Sequence, residues 1–329
     1  MKENGKILSM KYKLKKISGD ASFREFYRLK KNNSSSIIVN AKKDKYKNLI
    51  VYTVINNILN SHKIIAPKLL SNHIKNNMIE ISDLGEKSFY DYVVRKKNKL
   101  SDYKSLINLL IKIQKIKTKS QYKLGKNKVK IFKYSISNLH KESDLFFDWY
   151  LKYTMKKKNT SKIKKILRVE LNKIYKKLKY KNDTFVHRDF HVSNIMYHKK
   201  KLGVIDSQDA LIGNPLYDVA SLIDDVRIKL HPALQNKLFN YYFKTSKLKK
   251  ENIQNLKNDF DILSVQRNLK ILGIFVRLHK RDGKYNYLKY LPYTWSLINR
   301  RLKNSVFKDF NILINKILPI NDFKNLKKI

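Results

Sequence analysis

The chain has 329 residues, 42% of them hydrophobic and 12% aromatic, enough apolar material to bury a large core and too much for a disordered chain. It has no cysteine, which excludes disulfides and thiolate metal sites. No apolar run reaches the roughly 18 to 20 residues that span a bilayer, and the N-terminus lacks a signal-peptide core, so a soluble, cytoplasmic protein with no membrane partner is expected. The net charge of +47 invites a nucleic-acid reading, yet only 11 of the 73 basic residues are Arg, and Lys comes with abundant Asn, Ile and Tyr. That joint skew suggests an AT-rich genome placing Lys wherever a solvated residue is tolerated, so no specific nucleic-acid partner is expected.

Residues 11–41 read as three short strands, 11–17, 24–30 and 36–41. Between the first two lies Gly19-Asp20-Ala21-Ser22-Phe23, a loop of small residues that can be an ordinary turn or can expose N–H groups to phosphates. Residues 45–59 carry helical periodicity, with no Glu of the kind that pairs with a strand lysine in protein kinases. Lys42 or Lys43 could approach phosphates or lie at the surface. A strand opens at 67–70 and another covers 78–82, ending in Asp83-Leu84-Gly85. In a kinase-like layout this end is the hinge, with backbone groups for an adenine edge around Glu80, Ser82 and Leu84; otherwise it is a plain strand end.

Beyond the hinge the chain turns helical over 88–95, 102–117 and 161–178, with Ser101 or Asp102 and Ser161 as N-caps. The acidic, aromatic stretch 142–150 either packs into the core or helps line an acceptor pocket. The helix beginning at Leu216 follows Asp206 by about ten residues, too few for the activation segment that a protein substrate requires, so a small-molecule acceptor is favoured. Residues 231–329 are nearly all helical pattern, most apolar over 265–279, with a stop around Gly283.

The chemistry concentrates in His187-Arg188-Asp189-Phe190-His191-Val192-Ser193-Asn194, followed by Asp206 at the end of a short apolar strand. His187 and His191 could be metal ligands, and the segment could also be a loop of mutually capping polar residues. The spacing of Asp189, Asn194 and Asp206 favours phosphoryl transfer: one carboxylate takes a hydroxyl proton, while an amide and a second carboxylate offer oxygen ligands to magnesium.

These motifs, with Pro215-Leu216-Tyr217-Asp218, resemble the aminoglycoside phosphotransferase and choline kinase superfamily. The blocks 19–24, 81–85, 208–210 and 266–284 resemble more narrowly its bacterial anomeric N-acetylmuramate/N-acetylglucosamine kinases, which act in cell-wall sugar recycling. The resemblance implies an α+β, two-lobed protein-kinase-like fold, with a small β-rich nucleotide-binding lobe and hinge over 1–85 and a large, mostly helical catalytic lobe over 86–329. It implies ATP and Mg2+ as cofactors and an amino sugar as partner. Asp189 would be the catalytic acid, Asn194 and Asp206 the metal ligands, and Gly19, Asp20, Ala21, Ser22 and Phe23 the cover over the phosphates. His187 and Asp218 would be structural. Asp209 and Arg267, then Asp225 and Arg227, would meet the acceptor. Alternatives are a kinase for an aminoglycoside, choline or homoserine, and a non-catalytic polyanion binder on the same scaffold. Ser207 stands where the family usually has Phe, which implies looser apolar support behind Asp206.

Overall fold

The computed structural model describes residues 12–17, 24–31, 34–41, 46–155, 159–199, 201–246, 248 and 252–318; the loop Gly19–Phe23 and Lys42–Lys43 lie outside the described residues. In chain order the elements are β1 (Tyr12–Ile17), β2 (Arg24–Lys31), β3 (Ser34–Ala41), α1 (Tyr46–Ser61), β4 (Leu69–His73), β5 (Met78–Ser82), α2 (Phe89–Val93), α3 (Leu100–Gln114), β6 (Tyr122–Leu124), β7 (Asn127–Val129) and α4 (Ile136–Leu145). After a π-helical turn, Phe146–Leu151, come α5 (Lys152–Thr154), α6 (Thr160–Tyr175), β8 (Thr184–Val186), β9 (Ile195–His198), β10 (Lys201–Val204), β11 (Leu211–Gly213), α7 (Leu216–Ile223), α8 (Pro232–Thr245), α9 (Ile253–Asp282), α10 (Leu291–Arg301) and α11 (Lys308–Ile317). The chain forms two compact units: Met1–Phe89 with Lys119–Lys130 and Asn194–Asp209, and Tyr90–Thr118 with Ile131–Ser193 and Ala210–Ile329.

The first unit is built on an antiparallel sheet of order β1-β2-β3-β5-β4. Side chains alternate across the pleat, so Ile37 and Val39 of β3 face inward opposite Ile81 and Ile79 of β5. Leu49 and Tyr52 of α1 close over them. Each such residue contributes about 1.5–3 kcal/mol by leaving water. The short hairpin β6–β7, which has no strong sequence signal, also packs on α1.

The second unit is organised around α9, 30 residues long, capped at one end by the Asn252 side chain and at the other by Gly283 with φ +66°. The expected stop at Gly283 is therefore where the helix ends, but the helix begins twelve residues before Val265. The helix falls within the expected helical region 231–329, and its buried face includes the polar residues Asp259, Asp261, Ser264, Gln266, Arg267 and Asn268. The expected N-caps are corrected: Lys99 and Asn159, neither with a side-chain cap bond, open α3 and α6 in place of Ser101, Asp102 and Ser161. A cap is worth only about 1 kcal/mol, and tertiary packing overrides it.

Gly273 marks a close approach of α9 to neighbouring backbone. A Cβ there would lie 2.2 Å from the backbone carbon and oxygen of Leu145, where α4 passes into the π turn. Gly273→Ala is expected to destabilise the protein by ~3 kcal/mol, because backbone cannot step aside. Urea denaturation checks this.

Candidate active site

The segment from His187 leaves β8, which pairs with β11, and runs irregularly through the interior of the second unit. Buried amides need acceptors. Asp218, fully buried in the first turn of α7, takes the His187 N–H at 2.7 Å and the Arg188 N–H at 2.9 Å. Burial raises the Asp218 carboxyl to about 7 against these two bonds. With an amide on each oxygen, the geometry favours the carboxylate. Arg188 holds φ +73°, a left-handed conformation costly for a side-chain-bearing residue and common at functional loops.

The Arg188 side chain donates to Glu142, which also accepts from Tyr134 (2.6 Å), Tyr217 (2.9 Å), Gln266 (3.0 Å) and Lys270 (3.2 Å). Burial alone would raise the Glu142 carboxyl, but Lys270 and then Arg188 hold it well below the usual range. Within the stretch 142–150, Phe146 and Tyr150 pack into the core, whereas Glu142 is the hub of a buried polar cluster.

Asp189 lies beside that cluster. Burial would raise its carboxyl too, but Lys270, Arg267, Arg188 and His187 together pull it below its ordinary value, so it is a carboxylate at neutral pH. Such a group can accept a proton or a hydrogen bond from a hydroxyl. Arg267, 4% exposed, carries an Nη1 with no hydrogen-bond partner among the described residues. His191 is kept neutral by burial and by Arg227 and Arg267. Asp225 is turned inward, accepting from the Val192 N–H (3.3 Å) and from Arg227 (3.1 Å). Its oxygens serve the loop, so as an acceptor-contacting pair Asp225 and Arg227 are already engaged with the chain and with each other.

In the first unit, the antiparallel hairpin β9–β10 converts sequence distance into proximity. Ile195 pairs with Val204, and the Ile205 N–H donates to the Asn194 carbonyl at 3.0 Å, so Asn194 and Asp206 flank the open end of one ladder. Both are part-exposed, and Asp206 holds φ +62°. An amide oxygen and a carboxylate are hard donors of the type magnesium takes, so this donor set fits that ion. Arg24 donates to Asp206 at 2.6 Å. Ser207 is fully buried and donates to Asn56 of α1 at 2.7 Å. Ser207, next to Asp206, is thus tied to α1 by a specific hydrogen bond.

At the expected hinge, Glu80 is paired on both sides, with Ile38 and Ser71, and its side chain accepts from Ser36. The Ser82 N–H donates to the Lys68 carbonyl. Leu84 lies beyond the strand, buried by its side chain. Asp83 is locked by Arg28, Ser35 and the Gly85 N–H, and although burial opposes it, these hold the carboxyl below its usual value. Asp209 is exposed and accepts from Gln208 at 3.1 Å. Sequence reading missed Glu142 as a hub, Lys270 and Arg24.

A five-stranded antiparallel sheet with one helix in the first unit and a mostly helical second unit define the protein-kinase-like fold of small-molecule phosphotransferases. The chain belongs to the phosphotransferase enzyme family APH, whose profile matches residues 13–250. It is 27% identical over 283 residues to an N-acetylmuramate/N-acetylglucosamine kinase of Pseudomonas aeruginosa, covering 84% of this chain and 79% of that one. It is 25% identical over 280 residues to the protein of the same name from Neisseria meningitidis, covering 84% and 81%. Among solved structures, a choline/ethanolamine kinase family protein from Mesorhizobium loti superposes with a TM-score of 0.61 at 12% identity, covering 94% of each chain. The ADP-bound aminoglycoside phosphotransferase APH(2'')-Ib gives 0.58 at 13% identity, covering 91% of this chain and 95% of that one. Among the described residues no helix is long and apolar enough to cross a membrane.

Removing the charge of Glu142 strands Arg188 and Lys270, so Glu142→Gln is expected to cost about 3–5 kcal/mol. Because its folded carboxyl is held below the ordinary glutamate value, Glu142 contributes fully above that value, and the contribution is lost as pH falls through the lower one. Urea denaturation across acid pH should show wild type losing stability in that window and Glu142→Gln losing less.

Proposed function

We propose that this protein is an ATP-dependent kinase that transfers the γ-phosphoryl group to the anomeric hydroxyl of N-acetylmuramate or N-acetylglucosamine. The observation that carries the reading is Asp189, kept ionised by surrounding cations in the second unit; in the first unit, separately, the hairpin sets Asn194 beside Asp206. Asp189 accepts the proton of the sugar hydroxyl as its oxygen bonds to the γ-phosphorus, and the bond to the β-phosphate oxygen breaks to release ADP. Magnesium, held by Asn194 and Asp206, neutralises charge on the phosphates. Leu84, past the last paired strand residue, offers its backbone to the adenine edge, and Gly19–Phe23 cover the phosphates. Residues 1–85 then serve the nucleotide and 86–329 the chemistry and the acceptor.

The acceptor assignment rests on the named relatives and on charge. A cationic acceptor such as choline or an aminoglycoside wants uncompensated acids, and five acids of the second unit are already paired. Glu142 holds Arg188 and Lys270, Asp144 and Asp148 hold Lys164, Asp224 holds Arg301, and Asp225 holds Arg227. Arg267 instead offers a buried donor beside Asp189, suited to the acetamido oxygen or the lactyl carboxylate. Asp209 suits a sugar hydroxyl, and Asp225 and Arg227 contribute less. Such an enzyme works in the cytoplasm, where ATP is present.

Incubation with ATP, Mg2+ and either sugar, followed by phosphorus NMR, should give an anomeric phosphate. A product phosphorylated at C6, or turnover of choline or an aminoglycoside alone, would overturn the assignment. Asp189→Asn should lower kcat by ~1,000-fold or more while leaving nucleotide affinity within about twofold, as loss of a proton acceptor and orienting group requires.

A further inference from the structure

Kinase-type sites usually bring a lysine from the third strand to the nucleotide phosphates and fix it with a glutamate from the following helix. Among the described residues neither is present: β3, Ser34–Ala41, contains no basic residue, and α1, Tyr46–Ser61, contains no acid. A cation of a different kind stands nearby. Arg24 is the first residue of β2, directly after the loop assigned to the phosphates, and pairs in register with Ala41, the last residue of β3. Its side chain is 3% exposed, and its Nη2 donates to Asp206 at 2.6 Å. The guanidinium carbon lies 5.3 Å from the Tyr52 ring centroid and 5.4 Å from that of Phe26. Two aromatic rings, one of them from α1, therefore orient the cation where a glutamate would otherwise do so.

We propose that Arg24 is the nucleotide-phosphate cation of this enzyme, held on Asp206 when no nucleotide is present and turned to the phosphates when magnesium takes that carboxylate. The inference rests on the phosphotransferase reading and adds to it a cation for the phosphates. A metal ion on Asp206 would draw charge from the carboxylate that Arg24 holds and weaken that contact. A guanidinium buried between two rings, on losing a carboxylate contact, is strongly driven to another anion. Nucleotide phosphates are the anions a phosphotransferase site would bring, and a planar fork suits their oxygens better than an ammonium does.

Calorimetric titration of the full chain with adenosine, ADP and ATP, each with and without Mg2+, tests the proposal without relying on turnover. Arg24→Gln should weaken ADP and ATP binding roughly 10- to 100-fold, the value of one charge-assisted contact, and leave adenosine unchanged. Arg24→Lys should recover part of the loss. Should Arg24→Gln fail to fold, Arg24→Lys alone carries the test, with ATP weakened and adenosine unaffected. Unchanged ATP affinity in a folded variant, or an equal loss for adenosine, would overturn the role of Arg24 and leave the phosphotransferase reading intact. A wild-type protein that binds neither ADP nor ATP would overturn both.

Discussion

An irregular chain segment in a protein interior survives only if each of its amides finds an acceptor, and the loop from His187 depends on that condition. Regular structure satisfies its own backbone, whereas this loop borrows oxygens from elsewhere in the second unit: Asp218 for His187 and Arg188, and Asp225 for Val192. The acids sit on or just after α7, so the placement of one short helix determines the shape of the loop. The left-handed conformation of Arg188 is maintained because its amide and its side chain are both held, the first by Asp218 and the second by Glu142.

The same economy governs charge. Burial works against the ionised form of both Glu142 and Asp189, and in each case cations from α9 and from Arg188 reverse the effect. Lys270 is shared: burial pulls its ammonium down, and Glu142, Tyr217 and Asp189 more than restore it. A carboxylate held in this way keeps its proton affinity low without water, which preserves its readiness to accept a hydrogen bond from a neutral hydroxyl.

Much of the fold was legible because alternation in β3 and β5 and the stop at Gly283 are local signals. The hidden parts are those where long-range partners rewrite local rules. The polar half of α9 is buried only because Asp259 accepts from Lys179 and Tyr180, Asp261 from Asn304, and Ser264 bonds to Asp224. No periodicity announces such partners. One compositional clue was stronger than it first looked. In a chain with 11 Arg among 73 basic residues, the arginines include Arg24, Arg28, Arg267 and Arg301, all buried, together with Arg188 and Arg227 on buried acids. Those are positions where a fork of fixed geometry does what a point charge cannot.

The β9–β10 hairpin separates what chemistry needs from what sequence happens to contain. Asn194 and Asp206 adjoin because Ile195 faces Val204 at the open end of the ladder, and nothing at the far tip, beyond the pair His198 and Lys201, enters that geometry. The twelve-residue interval is therefore a property of hairpin length. Chains of different lineage could lengthen or shorten the tip in register and keep the same two oxygen atoms together. A pattern search with a rigid interval would pass over such chains, whereas one that allows the hairpin to grow by paired residues would find them.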